Sequence, residues 1–413
     1  MLRRDERARR APLGGDYRRL LGAATVSNLG DGMTIAAAPL LAATLTRDPR
    51  LVAGLATATT LPWLLFPLLS GALVDRWDRR RVMWTVDAFR AVVVGAIAIG
   101  AALDVLELPI LYATFFVLGT AETLFDNASQ AILPSVVARD RLADANGALQ
   151  GAEIVTNQLA GPALGGVLFA ATASLPFFVD AATFACAAVL VVSMRGRYGR
   201  DPGPRAPTTL RSDIAEGLRY LFSHRLLRSL AILLGVWNLV ALATTSTLVL
   251  LAQERLGLGA AGYGVLLGVG AVGGVLGSVV AGRVVRRFGE GAPLPVLILA
   301  GACSAVVPAL THSVVAVAAS FALFGMVGVI WNVITVSLRQ SIIPDRLLGR
   351  VNSVYRLLAW GGMPLGALLG GFVANRYGLT APYWVAAATQ LVMAVVAIPL
   401  LNQREVDRAR AGA

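Results

Sequence analysis

Four carboxylates interrupt long apolar runs of this 413-residue sequence, at Asp31, Glu122, Asp126 and Glu153. An ionised side chain in the middle of a membrane costs about 2.5–3.5 kcal/mol even on the most lenient scale. Such acids must therefore face water, pair with a cation or take up a proton. Glu122 and Asp126 are four residues apart and share one helical face, as do Glu153 and Asn157. We expect this set to line a cavity, to exchange protons and to attract cations.

Several embedded charges also have a simpler interpretation. Asp126 lies near the cytoplasmic end of its run, and a solvated or structural role explains it equally well. Asp87 with Arg90, and Asp180, are typical of helix-end ion pairs and packing contacts rather than of substrate ligands. For Asp31 the functional interpretation is favoured.

Two glycines support a special role for Asp31. Gly30 and Gly32 flank it, and glycine on both sides would allow the helix to bend at this point.

The second half of the sequence contains less embedded charge. Arg356 lies about six residues inside an apolar run, and Trp360 follows one turn later. Arg356 could balance one of the acids or bind an anionic group, and aromatic side chains in apolar helices suit amphipathic ligands. Tryptophan is also ordinary at membrane interfaces, so Trp63 and Trp77 receive no functional role.

The composition is that of a membrane protein. Hydrophobic residues make up 56% and charged residues 15% of the chain, and the mean hydropathy is +0.69, whereas soluble domains carry about 25% charged residues. Apolar runs long enough to span a bilayer recur along the chain. We predict an all-α membrane protein with about twelve spans, near 19–45, 52–75, 82–103, 108–132, 146–171, 174–194, 227–252, 261–284, 293–311, 314–338, 350–373 and 379–402.

Arginine sets the orientation of these spans. The net charge is +12, but the arginines collect in alternate short loops rather than on one soluble face, which argues against nucleic-acid binding. The arginine-rich loops, 76–81, 139–141, 283–287 and 346–350, are expected in the cytoplasm. An even number of spans then places both termini there, in a multi-pass protein of the plasma membrane.

The chain divides into two related halves. Residues 1–194, including a tail at 1–18, form the first bundle of six helices, and residues 227–413 form the second. Each half contains a Pro-containing loop at 133–146 or 343–352 followed by a Gly/Pro-rich helix. Segment 195–226 joins them. Its apolar spacing, from Leu210 to Leu221, predicts an amphipathic helix on the inner membrane surface with Arg211 and Arg219 toward lipid phosphates, although a purely structural bridge is an equal alternative.

The loop after the second span carries a recognisable motif. It reads Gly71-Ala-Leu-Val-Asp75-Arg76-Trp-Asp78-Arg79-Arg80-Arg81 and resembles the G-x-L-a-D-r-x-G-r-[RK] signature of the major facilitator superfamily, except that Asp78 replaces the second glycine. The resemblance implies a major facilitator fold of two six-helix pseudo-repeats and a conformational latch at this loop. The implied latch residues are Gly71, which would let another helix approach, Asp75, Arg76, Arg79 and Arg80.

A second motif narrows the resemblance. Gly161-Pro162-Ala-Leu-Gly165-Gly166 resembles the G-P-x-x-G-G motif of antiporters, although helix packing alone would explain Gly165 and Gly166. The whole chain is similar to the drug:proton antiporter-like exporter group that includes macrolide-efflux and enterobactin-export proteins. One departure is informative, because Phe115 and Phe116 stand near the place where many drug antiporters have a helix-four arginine.

The resulting hypothesis is a secondary transporter. It would export hydrophobic or amphipathic small molecules in exchange for protons, as a monomer without cofactor or metal; no G-x-x-x-x-G-K-[ST] loop is present to bind ATP. The alternative is a dedicated exporter of one metabolite, such as a siderophore, or a lysolipid flippase. An intramembrane enzyme is not expected, because His224 and His312 lie in polar segments on opposite sides.

Overall fold

The computed structural model describes residues 14–411 except 75, 197 and 199–209, and the regular elements in this part are helices. The helices before the linker are α1 (Gly15–Leu45), α2 (Pro49–Leu65), α3 (Pro67–Val74), α4 (Arg79–Ala102), α5 (Leu108–Val136), α6 (Leu142–Glu153), α7 (Gly161–Ala171) and α8 (Leu175–Val192). The later helices are α9 (Leu210–Ser223), α10 (Arg225–Thr245), α11 (Leu248–Leu250), α12 (Ala260–Phe288), α13 (Pro293–Leu310), α14 (Val314–Ile342), α15 (Asp345–Gly361), α16 (Met363–Tyr377), α17 (Ala381–Leu400) and α18 (Gln403–Ala411).

Ten helical stretches in the described part are long and apolar enough to cross a membrane. The other two predicted spans correspond to α1 and to α2 with α3. Polar residues, among them Asn28 and Asp31, dilute the apolar character of α1. A break at Phe66 divides the second predicted span into two shorter helices.

Contacts divide the described chain into two compact units. The first contains residues up to 41, residues 65–203 and residues 260–265, and α4 packs along α8 in it. Its core includes the fully buried Leu20, Met83 and Ile132. The second unit contains residues 42–64, residues 204–259 and the chain from 266 onward. Its core includes Leu230, Ile334 and Val351.

Small residues let α1 and α7 pack backbone against backbone in the first unit. A Cβ atom on Gly161 would lie 2.6 Å from the Cα of Gly32, and one on Gly165 would collide with the backbone of Met33. A π-helical turn, Ile154–Ala160, leads into this contact. Pro162 has no N–H for the regular bond to the carbonyl four residues earlier, which accounts for the irregular turn.

The linker helix α9 packs on protein with part of its apolar face. Leu221 is fully buried in the second unit. Glu216 forms an ion pair with Arg350 of α15, and the Tyr220 hydroxyl donates to the Ile342 carbonyl over 3.1 Å. The Leu221 side of α9 therefore packs on α15, whereas Leu218 and Phe222 are exposed. The side chain of Arg211 and the segment 199–209 lie outside the described residues.

Two polar contacts hold chain ends against neighbouring loops. In the first unit the Asp16 carboxylate accepts hydrogen bonds from the Arg195 and Gly196 N–H groups and from the Tyr198 hydroxyl, the last over 2.6 Å. In the second unit the Gln403 side chain accepts from the N–H groups of Glu290 and Gly291. Both contacts lie outside the ten candidate spans.

Candidate functional site

The centre of the candidate site is Arg90 on α4, whose side chain is only 3% exposed. Its Nη1 lies 3.7 Å from Oδ2 of Asp31 on α1, and its Nη2 lies 3.9 Å from Oε2 of Glu122 on α5. The rings of Phe184 and Phe125 lie 4.8 and 5.8 Å from the guanidinium carbon. Three helices thus bring two acids to one buried cation between aromatic rings. We call Arg90, Asp31 and Glu122 the Arg90 cluster.

The interpretation of Asp87 and Arg90 as a helix-end ion pair is wrong. Arg90 pairs with acids of other helices, well inside α4. Asp87, three residues earlier, is fully buried, and neither carboxylate oxygen has a hydrogen-bond partner. A charged residue inside an apolar run was the available signal for Arg90. Sequence spacing assigned it to the nearest acid on its own helix.

Asp180 on α8 is a buried acid with hydroxyl partners. It accepts hydrogen bonds from Thr34 and, over 3.3 Å, from Thr183. Gly30 permits this arrangement, because a Cβ atom there would collide with both Asp180 and Thr183. The glycine beside Asp31 therefore provides room for a neighbouring helix, and α1 continues through it.

The acids of the Arg90 cluster are partly exposed, whereas the cation is buried. The side chain of Asp31 is 27% exposed and that of Glu122 40% exposed. In the described chain no group of three or more His, Cys, Asp or Glu side chains is arranged to hold a metal ion.

Of the other two predicted acids, Asp126 lies near Arg90 and Glu153 has a separate partner. Asp126 is close enough to act electrostatically on Arg90. Glu153 instead accepts a hydrogen bond from Gln150, one turn earlier on α6, over 3.2 Å. Asn157 lies in the π-helical turn, and its backbone packs on Gly32.

The structure describes part of the predicted latch. Asp75 lies outside the described residues, and Arg76 is exposed. Gly71 has no described atom within 4 Å of an added Cβ, so the close helix approach predicted for it is not observed. Arg80 donates to the last carbonyls of α8, at Val191 and Val192. Arg79 opens α4.

Asp78, the departure from the motif, has a structural role. It is the N-cap of α4, and its side chain accepts a 2.9 Å hydrogen bond from the Arg81 N–H. An N-cap aspartate satisfies one of the unpaired N–H groups of a first helical turn.

In the second unit Arg356 and Trp360 are adjacent, and Trp63 joins them. The guanidinium carbon of Arg356 lies 4.7 Å from the Trp360 ring centre. The ring of Trp63, on α2, meets that of Trp360 at 5.6 Å between centres and 77° between planes. No pattern in the sequence selects Trp63, because only the fold brings it beside Trp360.

Comparisons with known proteins agree with this architecture. A family model described as transmembrane secretion effector, MFS_3, matches residues 8–411. The multidrug efflux pump Tap of Mycobacterium tuberculosis is 30% identical over 410 residues, with 94% of each chain covered. Tap of Mycolicibacterium fortuitum is 29% identical over 404 residues, covering 94% of this chain and 97% of that relative.

Solved transporters share the fold. A bacterial homologue of the iron transporter ferroportin, in an inward-facing state, superposes with a TM-score of 0.74 at 19% identity and covers 94% of this chain and 99% of its own. The nucleoside transporter NupG superposes with a TM-score of 0.70 at 13% identity, with 94% and 99% covered. The predicted major facilitator fold is confirmed, as is the expectation of a transporter rather than an enzyme. The chain belongs to the transmembrane secretion effector family of the major facilitator superfamily.

Proposed function

We propose that this protein exports hydrophobic or amphipathic small molecules, drugs among them, in exchange for protons. The single observation that carries the proton part is the Arg90 cluster, in which two partly exposed carboxylates share one buried cation. The export part is supported by the relatives named multidrug efflux pump, which match along almost the whole chain.

The cluster can couple protons to conformation through the charge of Arg90. When Asp31 and Glu122 are both ionised, they hold the buried guanidinium between α1 and α5. A proton on Oδ2 of Asp31 removes the charge that faces Nη1 and leaves Glu122 as the remaining close anion. Removing one charge from a buried pair changes its energy by several kcal/mol. That is enough to shift a two-state equilibrium from one side to the other.

The remaining predicted features fit the same proposal. The cycle would move two six-helix halves, 1–194 and 227–413, with segment 195–226 as their link. The loop at 71–80 would act as the latch, and Gly161, Pro162, Gly165 and Gly166 as the antiporter motif. Glu153, Asn157 and Asp126 would line the path near the cluster. The protein would act as a monomer in the plasma membrane with both termini in the cytoplasm.

Everted membrane vesicles test the proton part directly. A proton gradient, acidic inside, should drive uptake of a fluorescent drug by the wild type, and Asp31→Asn or Glu122→Gln should abolish uptake. Glu107→Gln is the matched control, because Glu107 is an exposed acid at the start of α5 that caps nothing. Gradient-driven uptake at wild-type rate in both cluster variants would contradict the proposal.

Drug resistance and metabolite accumulation in cells with and without the protein distinguish this proposal from the alternative of a dedicated exporter. A multidrug pump changes resistance to several unrelated compounds, and these changes disappear in the Asp31→Asn variant. A siderophore exporter or lysolipid flippase changes the accumulation of one metabolite and leaves the drug panel unaltered.

A further inference from the structure

The charge of Arg356 stays within its membrane-spanning segment. Arg356 lies in the span Leu347–Tyr377, nearer to its beginning. Arginines near the end of a span usually extend toward the headgroups. Here the guanidinium is held against the ring of Trp360, one turn further from that end. A guanidinium facing hydrocarbon is strongly disfavoured, so an exposed Arg356 at this position requires water or a ligand beside it.

Arg356 differs from Arg90 in its partners. Arg90 is buried and has two carboxylates within 4 Å. Arg356 is exposed, and its recorded contact in the described part of the chain is the face of Trp360. Its N–H groups are therefore available to an acceptor from outside the protein. A guanidinium binds carboxylate and related planar anions through two parallel hydrogen bonds.

The two indoles beside it form a corner. Their planes are 77° apart with centres at 5.6 Å, and Trp360 is 38% exposed. A planar aromatic guest in such a corner can stack on one indole and place its edge toward the other, the two arrangements that aromatic rings prefer. Cation and corner together match a molecule with a flat ring system and an acidic group.

We propose that Arg356, Trp360 and Trp63 form a binding site for planar aromatic acids, so that the exported molecules include anionic and zwitterionic aromatic compounds. This inference rests on the proposed export function and assigns the class of its substrates. The acidic group of the ligand pairs with Arg356, and its ring system occupies the corner of Trp360 and Trp63. Proton exchange belongs to the Arg90 cluster, so the substrate acid has a separate cation.

Two dyes with one ring system and opposite charge test the site. Fluorescein is anionic and rhodamine 123 is cationic, and both contain a flat xanthene. Their binding to purified full-length protein in lipid nanodiscs is measured by fluorescence anisotropy. We expect fluorescein to bind more tightly than rhodamine 123. Arg356→Gln should weaken fluorescein binding at least about tenfold, as expected for loss of a charge-assisted contact, and should leave rhodamine 123 unchanged or tighter.

Variants of the tryptophans distinguish a loss of binding in the indole corner from a general loss of folding. Trp63→Leu and Trp360→Leu should weaken the binding of both dyes severalfold, whereas Trp384→Leu, at an exposed position of α17, should alter neither. Equal fluorescein binding by the wild type and Arg356→Gln, or preference of the wild type for rhodamine 123, would overturn the inference. Transport in vesicles is read separately: Arg356-dependent fluorescein binding without gradient-driven transport of either dye refutes the export proposal and leaves the binding site standing.

Discussion

The two halves of the chain differ in what they bury. The first half buries the ionisable side chains Asp87, Arg90 and Asp180, each at most 3% exposed. Among the described residues of the second half, the buried polar side chains are all neutral: Ser229, Ser246, Thr247, Ser304, Ser320, Thr335 and Gln390. Buried charge persists only where partners or function justify it. The pseudo-repeat is thus symmetric in its helices and asymmetric in its electrostatics, which suits proton exchange in one half and ligand binding in the other.

The largest effect is expected from removing the buried cation of the first half. Arg90→Met leaves Asp31 and Glu122 without their counter-charge, and breaking a buried pair in this way destabilises by about 3–5 kcal/mol. Arg339→Met is the matched variant in the second half, where the guanidinium lies 3.9 Å over the Tyr355 ring. It should cost about 1–2 kcal/mol. The melting temperatures of both variants in detergent measure these losses of stability. Equal losses would contradict the electrostatic asymmetry of the two halves.

Glycine contacts test the opposite expectation, that the halves share their packing. A Cβ on Gly165 would collide with the backbone of Met33, and one on Gly366 with the backbone of Leu239. Both Gly→Ala variants should lose about 1–3 kcal/mol through overpacking. Gly71→Ala, with open space around it, should be neutral. A large loss in only one half would show that the symmetry of the helices does not extend to their packing.

Both halves contain a buried acceptor without a hydrogen-bond partner, an ionisable carboxyl group in the first half and an amide in the second. Both oxygens of Asp87 and the Oε1 atom of Gln390 have no hydrogen-bond partner. Replacing such a group with an apolar one of similar volume removes a desolvation penalty of about 1–3 kcal/mol, more for a charged group. Asp87→Leu should therefore raise the melting temperature more than Gln390→Leu. A fall in the melting temperature of Asp87→Leu would contradict this account of Asp87.

The chain-end contacts give a pH-dependent comparison. Hydrogen bonds to the Asp16 carboxylate, from Tyr198 above all, lower the pKa of Asp16 from its ordinary value of 3.8, and burial beside Asp16 raises the pKa of Tyr198 to about 12. Because the folded pKa of Asp16 is depressed, its stabilisation is complete above pH 3.8 and is lost as the pH falls through the folded value.

The corresponding measurement is the melting temperature of wild type and Asp16→Asn between pH 6 and 3. The difference between them should shrink toward the acid end. Asn402→Ala removes a hydrogen bond of the second half between uncharged groups, from the Glu405 N–H to Oδ1 of Asn402, and should lower stability by a constant amount over the same range. A constant difference for Asp16→Asn would remove the electrostatic explanation of its contact.

The sequence predicted the helices and two members of the site, but not how the site is assembled. Run length and charge placement identify spans because lipid imposes them locally. Asp31 and Glu122 were predicted as embedded acids for the same reason. Their partnership with Arg90 depends on three helices meeting, which spacing within one helix cannot reveal. The contact between Trp63 and Trp360, which are about three hundred residues apart, likewise could not be predicted from the sequence.

The smallest effect on stability is expected at Asp78. The two halves differ in how the N-terminus of the corresponding helix is capped. In the first half Asp78 caps α4, whereas in the second half α13 begins after Ala292 with no side-chain cap and a proline in its first turn. Asp78→Ala should lose about 1 kcal/mol, and Asp78→Gly, which restores the motif residue, only a few tenths. Glycine is almost as favourable as aspartate at an N-cap position. The loop can therefore keep the same backbone conformation with Asp78 as with the glycine of the motif. Equal melting temperatures for Asp78→Ala and Asp78→Gly would show that the cap contributes nothing and that Asp78 has another role in the loop.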